Sequence, residues 1–164
     1  MVSRGEHWLD GVMKKQIPFD EIDATQSVAD MICSSPHYDQ IRVIMLDNLV
    51  LGNTCVVDTL TLHEKTDRPV ILVSRKKTVA DSTGVTNVLV EDALSRAFGD
   101  LGAETEIVLS GGDRLFVWAS GLSEKIARTI VIKSCLEAAI PEGLRICDLI
   151  ATAFSNLFQK EQKV

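Results

Sequence analysis

Apolar positions along this chain follow two patterns, and the contrast between them predicts the architecture. Ile41-Arg42-Val43-Ile44-Met45-Leu46-Asp47, continued by Asn48-Leu49-Val50-Leu51-Gly52, is an unbroken apolar run but for Arg42, and it ends abruptly on a carboxylate. The in-out alternation of a half-exposed strand is missing, so the run reads as a strand covered by helices on both faces. Val70-Ile71-Leu72-Val73, after Pro69, reads the same way. Parallel neighbours need a crossover between them. A helix over 54–64 capped by Asn53 is therefore predicted, although Val56, Val57, Thr59 and Thr61 are stiff at χ1.

Elsewhere helical spacing dominates. Ala24, Val28 and Met31/Ile32 predict a helix before Ser34-Ser35-Pro36, with Asp23 as N-cap and Gln26 completing a capping box. Residues 8–17 read as extended, ended by Pro18. Val90, Leu94 and Ala97/Phe98 predict a helix over 86–98, after a polar turn at 78–84 and before a stop at 99–102. Apolar runs at 105–109 and 115–119 flank Gly111-Gly112, which predicts a hairpin rather than a phosphate loop. A further helix starts near Ser123 with Ile126, Ile130 and Cys135 toward the core. Pro141 opens the last one, with Leu144, Cys147, Ala151, Phe154 and Phe158 as its apolar stripe and 160–164 as a polar tail.

Composition narrows the class. At 164 residues, 46% hydrophobic and 24% charged, the chain suits a single α/β domain over 1–164. No run approaches the roughly 20 apolar residues that span a bilayer, and Arg4, Glu6, His7 and Asp10 rule out a signal-peptide core. A cytoplasmic protein with no membrane partner is expected. The net charge of −6 excludes a generic nucleic-acid-coating protein, while leaving room for a local basic patch. Cys33, Cys55, Cys135 and Cys147 lack metal-ligand spacing and read as core residues. His7, His37 and His63 are scattered and form no catalytic pair.

Two features carry candidate chemistry. Asp47 stands at the carboxyl end of its strand, where open α/β sheets place their ligands, unless it merely begins a turn with Asn48. Arg75-Lys76-Lys77 follows the second strand directly and is either a solvated loop or a grip on a phosphate backbone.

Taken together, Trp8-Leu9-Asp10-Gly11-Val12, the block from Ile41 to Asp47 running on to Val56-Val57-Asp58, residues 69–77, and Ile140-Pro141-Glu142-Gly143-Leu144-Arg145 resemble the archaeal family long catalogued as uncharacterised and later named endonuclease dU. The resemblance implies a ribonuclease H-like fold, a mixed sheet flanked by helices, similar to endonuclease V. It also implies Mg²⁺- or Mn²⁺-dependent cleavage, in DNA repair, of DNA holding deaminated bases such as deoxyuridine. Asp47 then matches the metal-binding, catalytic aspartate, Asp23 is the nearest candidate for a second metal-binding and catalytic carboxylate, and Arg75, Lys76 and Lys77 match a nucleic-acid-binding strand end. The family's first strand and its aspartate have no counterpart here, since Met1-Val2-Ser3-Arg4-Gly5 resembles the end of the second strand. By that comparison the domain is N-terminally truncated, activity is impaired, and the bared edge of the 41–47 strand pairs with a second copy as a homodimer. The alternative is a non-catalytic α/β module that binds nucleic acid or a protein.

Overall fold

In the computed structural model, which describes residues 1–4, 8–18, 21–51, 55–76, 88–99, 101, 103–135 and 139–161, the sheet is assembled around one strand that is buried almost throughout. In chain order the elements are β1 (Val2–Arg4), β2 (Trp8–Gly11), α1 (Thr25–Cys33), β3 (Ile44–Leu46), β4 (Val50–Leu51), β5 (Cys55–Val56) and α2 (Thr59–Thr66). There follow β6 (Val70–Ser74), α3 (Val88–Gly99), β7 (Thr105–Val108), β8 (Arg114–Ser120), α4 (Glu124–Ser134) and α5 (Glu142–Glu161). The main sheet has the order β3-β6-β8-β7. β3 runs parallel to β6, with Ile44 beside Val70 and Leu46 beside Leu72. β8 is antiparallel to both β6 and β7. The result is the expected mixed sheet.

Successive residues of β6 point to opposite faces, and each face has its own helical layer. Val70 packs with Val28 and Ile32 of α1 and Leu62 of α2. Leu72 packs with Val90, Leu94 and Ala97 of α3 and with Trp118. Ile71 and Val73 face the other way, onto Ala127 and Val131 of α4 and Leu144 of α5. Burying each such aliphatic side chain contributes roughly 1.5–3 kcal/mol. An apolar run without alternation is thus what a two-faced strand requires.

Several expectations need correction. β3 is shorter than the apolar run, spanning only Ile44–Leu46, and among the described residues it pairs with β6 alone. The helix expected over 54–64 begins later. Cys55 and Val56 form β5, antiparallel to β4, and Val56 also bridges in parallel to Asp23. Val56 and Val57 follow their strand preference, and α2 starts only after Asp58, whose Oδ1 accepts the Thr61 N–H at 2.6 Å. Asn53, the expected cap, lies outside the described residues.

The capping box at Asp23 and Gln26 does not form. Asp23 is held in the bridge to Val56, so Ala24 takes the N-cap position and supplies no side-chain acceptor. Gln26 instead donates to Asp30 and accepts from Lys65, each at 2.6 Å. Residues 8–17 are regular only within β2, which pairs with β1 as a separate two-stranded ribbon. In α4, Ile130 and Cys135 pack against the core as expected, but Ile126 is 54% exposed and the fully buried positions are Ala127 and Val131. The α5 stripe packs at Leu144 but leaves Ala151 exposed and Phe154 at 40%. That helix continues through Lys160 and Glu161, where a polar tail was expected. The turn expected at 78–84 lies outside the described residues.

The ribbon is moored to the body at several points. A Cβ on Gly143, at the start of α5, would sit 3.2 Å from Met1 Cε and 3.9 Å from Ser3 Oγ. Beyond β2, Lys14 Nζ stands 4.7 Å from the ring centre of Phe154 in the same helix. Gly11 lies close against the His37 ring, leaving no room for a side chain.

Candidate functional site

Parallel pairing fixes where the polar residues meet. With Leu46 beside Leu72, the next residue of each chain segment, Asp47 and Val73, stands at one level of the sheet. Asp47 therefore emerges at the end from which Ser74, Arg75 and Lys76 leave β6. β8 enters the sheet at that same end, since Phe116 pairs with Ser74. Arg114 is there too, paired with Glu106 at 2.9 Å.

Asp47 continues the parity of Val43 and Met45, which pack on the α4–α5 side. On that side the charge of Asp148 acts on it. Leu144 of α5 is buried under the sheet, and Asp148 follows it by one helical turn on the same helix face. The Asp47 carboxyl is pushed above the usual carboxylate value, first by lost hydration and further by the charge of Asp148. Hydrogen bonds from its own backbone N–H and that of Asn48 oppose the rise without cancelling it. The residue as a whole is exposed, so the group is accessible.

Asp23 has a different setting. Its Oδ1 accepts the Thr25 N–H at 3.0 Å, at the foot of α1. Thr25 in turn accepts the Asp58 N–H through its Oγ1 at 3.0 Å. The charge acting on Asp47 is that of Asp148 and not of Asp23. Arg75 and Lys76 are exposed, and Lys76 N–H bonds to Ser74 Oγ at 3.1 Å, turning the chain out of the strand. Lys77 lies outside the described residues.

Asp148 escapes a reading of apolar stripes because Cys147 beside it satisfies the pattern. The available signal was a carboxylate four residues after the core residue Leu144. Two acidic residues whose charges act on one another, one of them with its carboxyl raised, form a place where a divalent cation would lower the energy. Oxygen donors of this kind suit Mg²⁺ or Mn²⁺. Among the described residues no group of three or more His, Cys, Asp or Glu side chains converges, so a cation held here would keep several water ligands.

Fold and site together define a mixed α/β protein with a carboxylate pair and a basic loop at one end of its sheet. The chain belongs to the endonuclease dU family, whose profile matches residues 1–155. It is 35% identical over 159 residues to a UPF0215 protein of Methanothermobacter thermautotrophicus, covering 92% of this chain and 74% of that one. A UPF0215 protein of Methanosarcina acetivorans is 33% identical over 156 residues, covering 92% and 79%. The crystal structure of a protein of unknown function from Archaeoglobus fulgidus superposes with a TM-score of 0.71 at 25% identity, covering 90% of this chain and 83% of that one. Among the described residues no helix is long and apolar enough to cross a membrane.

Proposed function

We propose that this chain is a metal-dependent endonuclease that cuts DNA beside a deaminated base such as deoxyuridine. The observation that carries the reading is the Asp47–Asp148 pair standing at the sheet end where Arg75 and Lys76 emerge. Asp47 and Asp148 are the residues that would hold Mg²⁺. Bound there, the ion would supply an activated water and would neutralise charge on the phosphate. The chain's own part is to present the two carboxylates, one at a strand end and one on the helix anchored by Leu144. Arg75 and Lys76 grip the phosphates on either side of the cut through charge-assisted hydrogen bonds. Asp23, engaged with the Thr25 N–H, supports the start of α1.

The test is nicking of a labelled duplex that contains one deoxyuridine, with Mg²⁺ or EDTA. Asp47→Asn removes charge with little change in volume and is expected to lower cleavage at least about 100-fold. Metal catalysis supplies several kcal/mol and each 1.4 kcal/mol is tenfold. Asp148→Asn is expected to fall in the same direction. Undiminished cleavage by Asp47→Asn, with circular dichroism unchanged, removes the pair from the mechanism.

A further inference from the structure

We propose that Trp8, Arg4 and Asp10 form a subsite for one unpaired pyrimidine base, with the base stacked on the indole and its edge read by the two charged groups. The inference deepens the endonuclease reading and takes from it only that the ligand is nucleic acid.

Trp8 is 73% exposed and Leu9 beside it 52%, whereas Trp118 is buried in the core at 7%. A tryptophan normally contributes by burying a large apolar area. One left on the surface of a two-stranded ribbon marks a contact surface. The strand register puts Arg4 directly across from Trp8, and directly opposed side chains share a face with Cβ atoms roughly 4.5–5.5 Å apart. Asp10 falls where the register between β1 and β2 shifts, and its ion pair brings it to Arg4. Its Oδ2 lies 3.4 Å from Arg4 Nε. These three residues line a depression of about 270 Å³.

The donor and acceptor pattern selects the occupant. Any base offers a π-face to an aromatic ring. Uracil presents an N–H flanked by two carbonyls along its pairing edge. A guanidinium donates to such a carbonyl, and a neighbouring carboxylate accepts the N–H. Cytosine offers a bare ring nitrogen at that point, which the carboxylate repels. Arg4 is steadied from the far side by a bond from Nη2 to Gln40 Oε1 at 3.2 Å. Its fork carries five N–H donors, so the contacts to Gln40 and Asp10 leave others for the base.

Position supports the same assignment. The ribbon touches α5 near Gly143, and Lys14 beyond it touches the same helix at Phe154. Asp148 lies between those two contacts. At 1.5 Å per residue, Gly143 and Asp148 are only about 7–8 Å apart along the helix axis. The ribbon that carries Trp8 is thus moored to the same helix that carries Asp148.

The chain has two tryptophans, and Trp118 is buried, so fluorescence quenching reports on Trp8. The experiment titrates the full chain, in EDTA, with short single-stranded oligonucleotides holding one deoxyuridine or one deoxycytidine between abasic positions. Deoxyuridine is expected to quench and to bind at least about fivefold more tightly than deoxycytidine. Trp8→Ala is expected to weaken binding about 5- to 100-fold, read by anisotropy of a labelled oligonucleotide. Trp8→Phe keeps a stacking ring and much of the affinity, and serves if the alanine variant does not fold. Asp10→Asn, able to present either edge of its amide, is expected to erase the preference for deoxyuridine. Asp47→Asn leaves quenching intact while losing cleavage. Quenching without cleavage in the wild type would defeat the endonuclease reading and leave the subsite standing. Equal affinity for the two oligonucleotides, or unchanged binding by Trp8→Ala, overturns the subsite.

Discussion

Asp47 shows how one residue can be legible in part. Its place after an apolar run marked it as the end of a buried strand, and the parallel register confirmed the location. Its partner was not legible, because helical periodicity sorts residues by polarity and Asp148 interrupts no stripe. The raised Asp47 carboxyl has a consequence for stability. A carboxylate whose folded value exceeds its unfolded value of 3.8 costs stability at neutral pH, where it is charged in both states. That cost is relieved as the pH falls through the folded value, because the native state then binds the extra proton. Without metal, Asp47→Asn is expected to melt higher than wild type at pH 7, with the gain shrinking as the pH approaches 3.8. Mg²⁺ should reverse the ranking. Ligand at 100 times its dissociation constant stabilises by about 2.7 kcal/mol, and the variant lacks the ligand group. Melting curves with EDTA and with Mg²⁺ across pH 4–8 check both signs, and identical curves for the two proteins would show that Asp47 carries no unusual charge.

At the scale of elements, strong and uniform patterns survived and mixed ones did not. β6, the β7–β8 hairpin and α3 lie where their patterns put them because packing and local preference agree. The stretch from Cys55 to Asp58 is harder to read, because the need for a crossover argues for helix while its β-branched residues argue for strand. A parallel bridge to Asp23 and pairing with β4 settle Cys55 and Val56 as a strand, after which Val57 leads into the helix. The true start of α2 is Asp58, a side-chain cap with a bond of 2.6 Å to the Thr61 N–H. Asp58→Ala is expected to cost about 1 kcal/mol, within a range of roughly 0.5–2. Urea unfolding monitored by circular dichroism measures it, and a loss under about 0.3 kcal/mol would place the start of the helix elsewhere. In α4 the expected stripe holds at Ile130 and Cys135 but not at Ile126, because Ala127 and Val131 take the buried positions.

For the whole molecule, the net charge of −6 makes a uniform coating of nucleic acid untenable and throws the burden onto the few cations at the Asp47 end. Replacing Arg75, Lys76 and Lys77 together by Ala should weaken DNA binding and flatten its dependence on salt. Every phosphate that thereby goes unneutralised should lower the slope of log K against log salt by roughly 0.7–0.9. Titration at several salt concentrations gives the slope, and an unchanged value would assign the triplet to solvent alone.

The separate ribbon of β1 and β2 has one more consequence. Among the described residues it shares no ladder with the four-stranded sheet, and its strands are mostly exposed. Its moorings at Gly143, His37 and Phe154 are side-chain contacts that can let go while β6 stays shut. Deuterium should therefore enter the amides of Val2–Arg4 and Trp8–Gly11 orders of magnitude sooner than those of Val70–Ser74, at a rate insensitive to mild denaturant. The molecule would then breathe at one flank on a clock of its own, long before it unfolds.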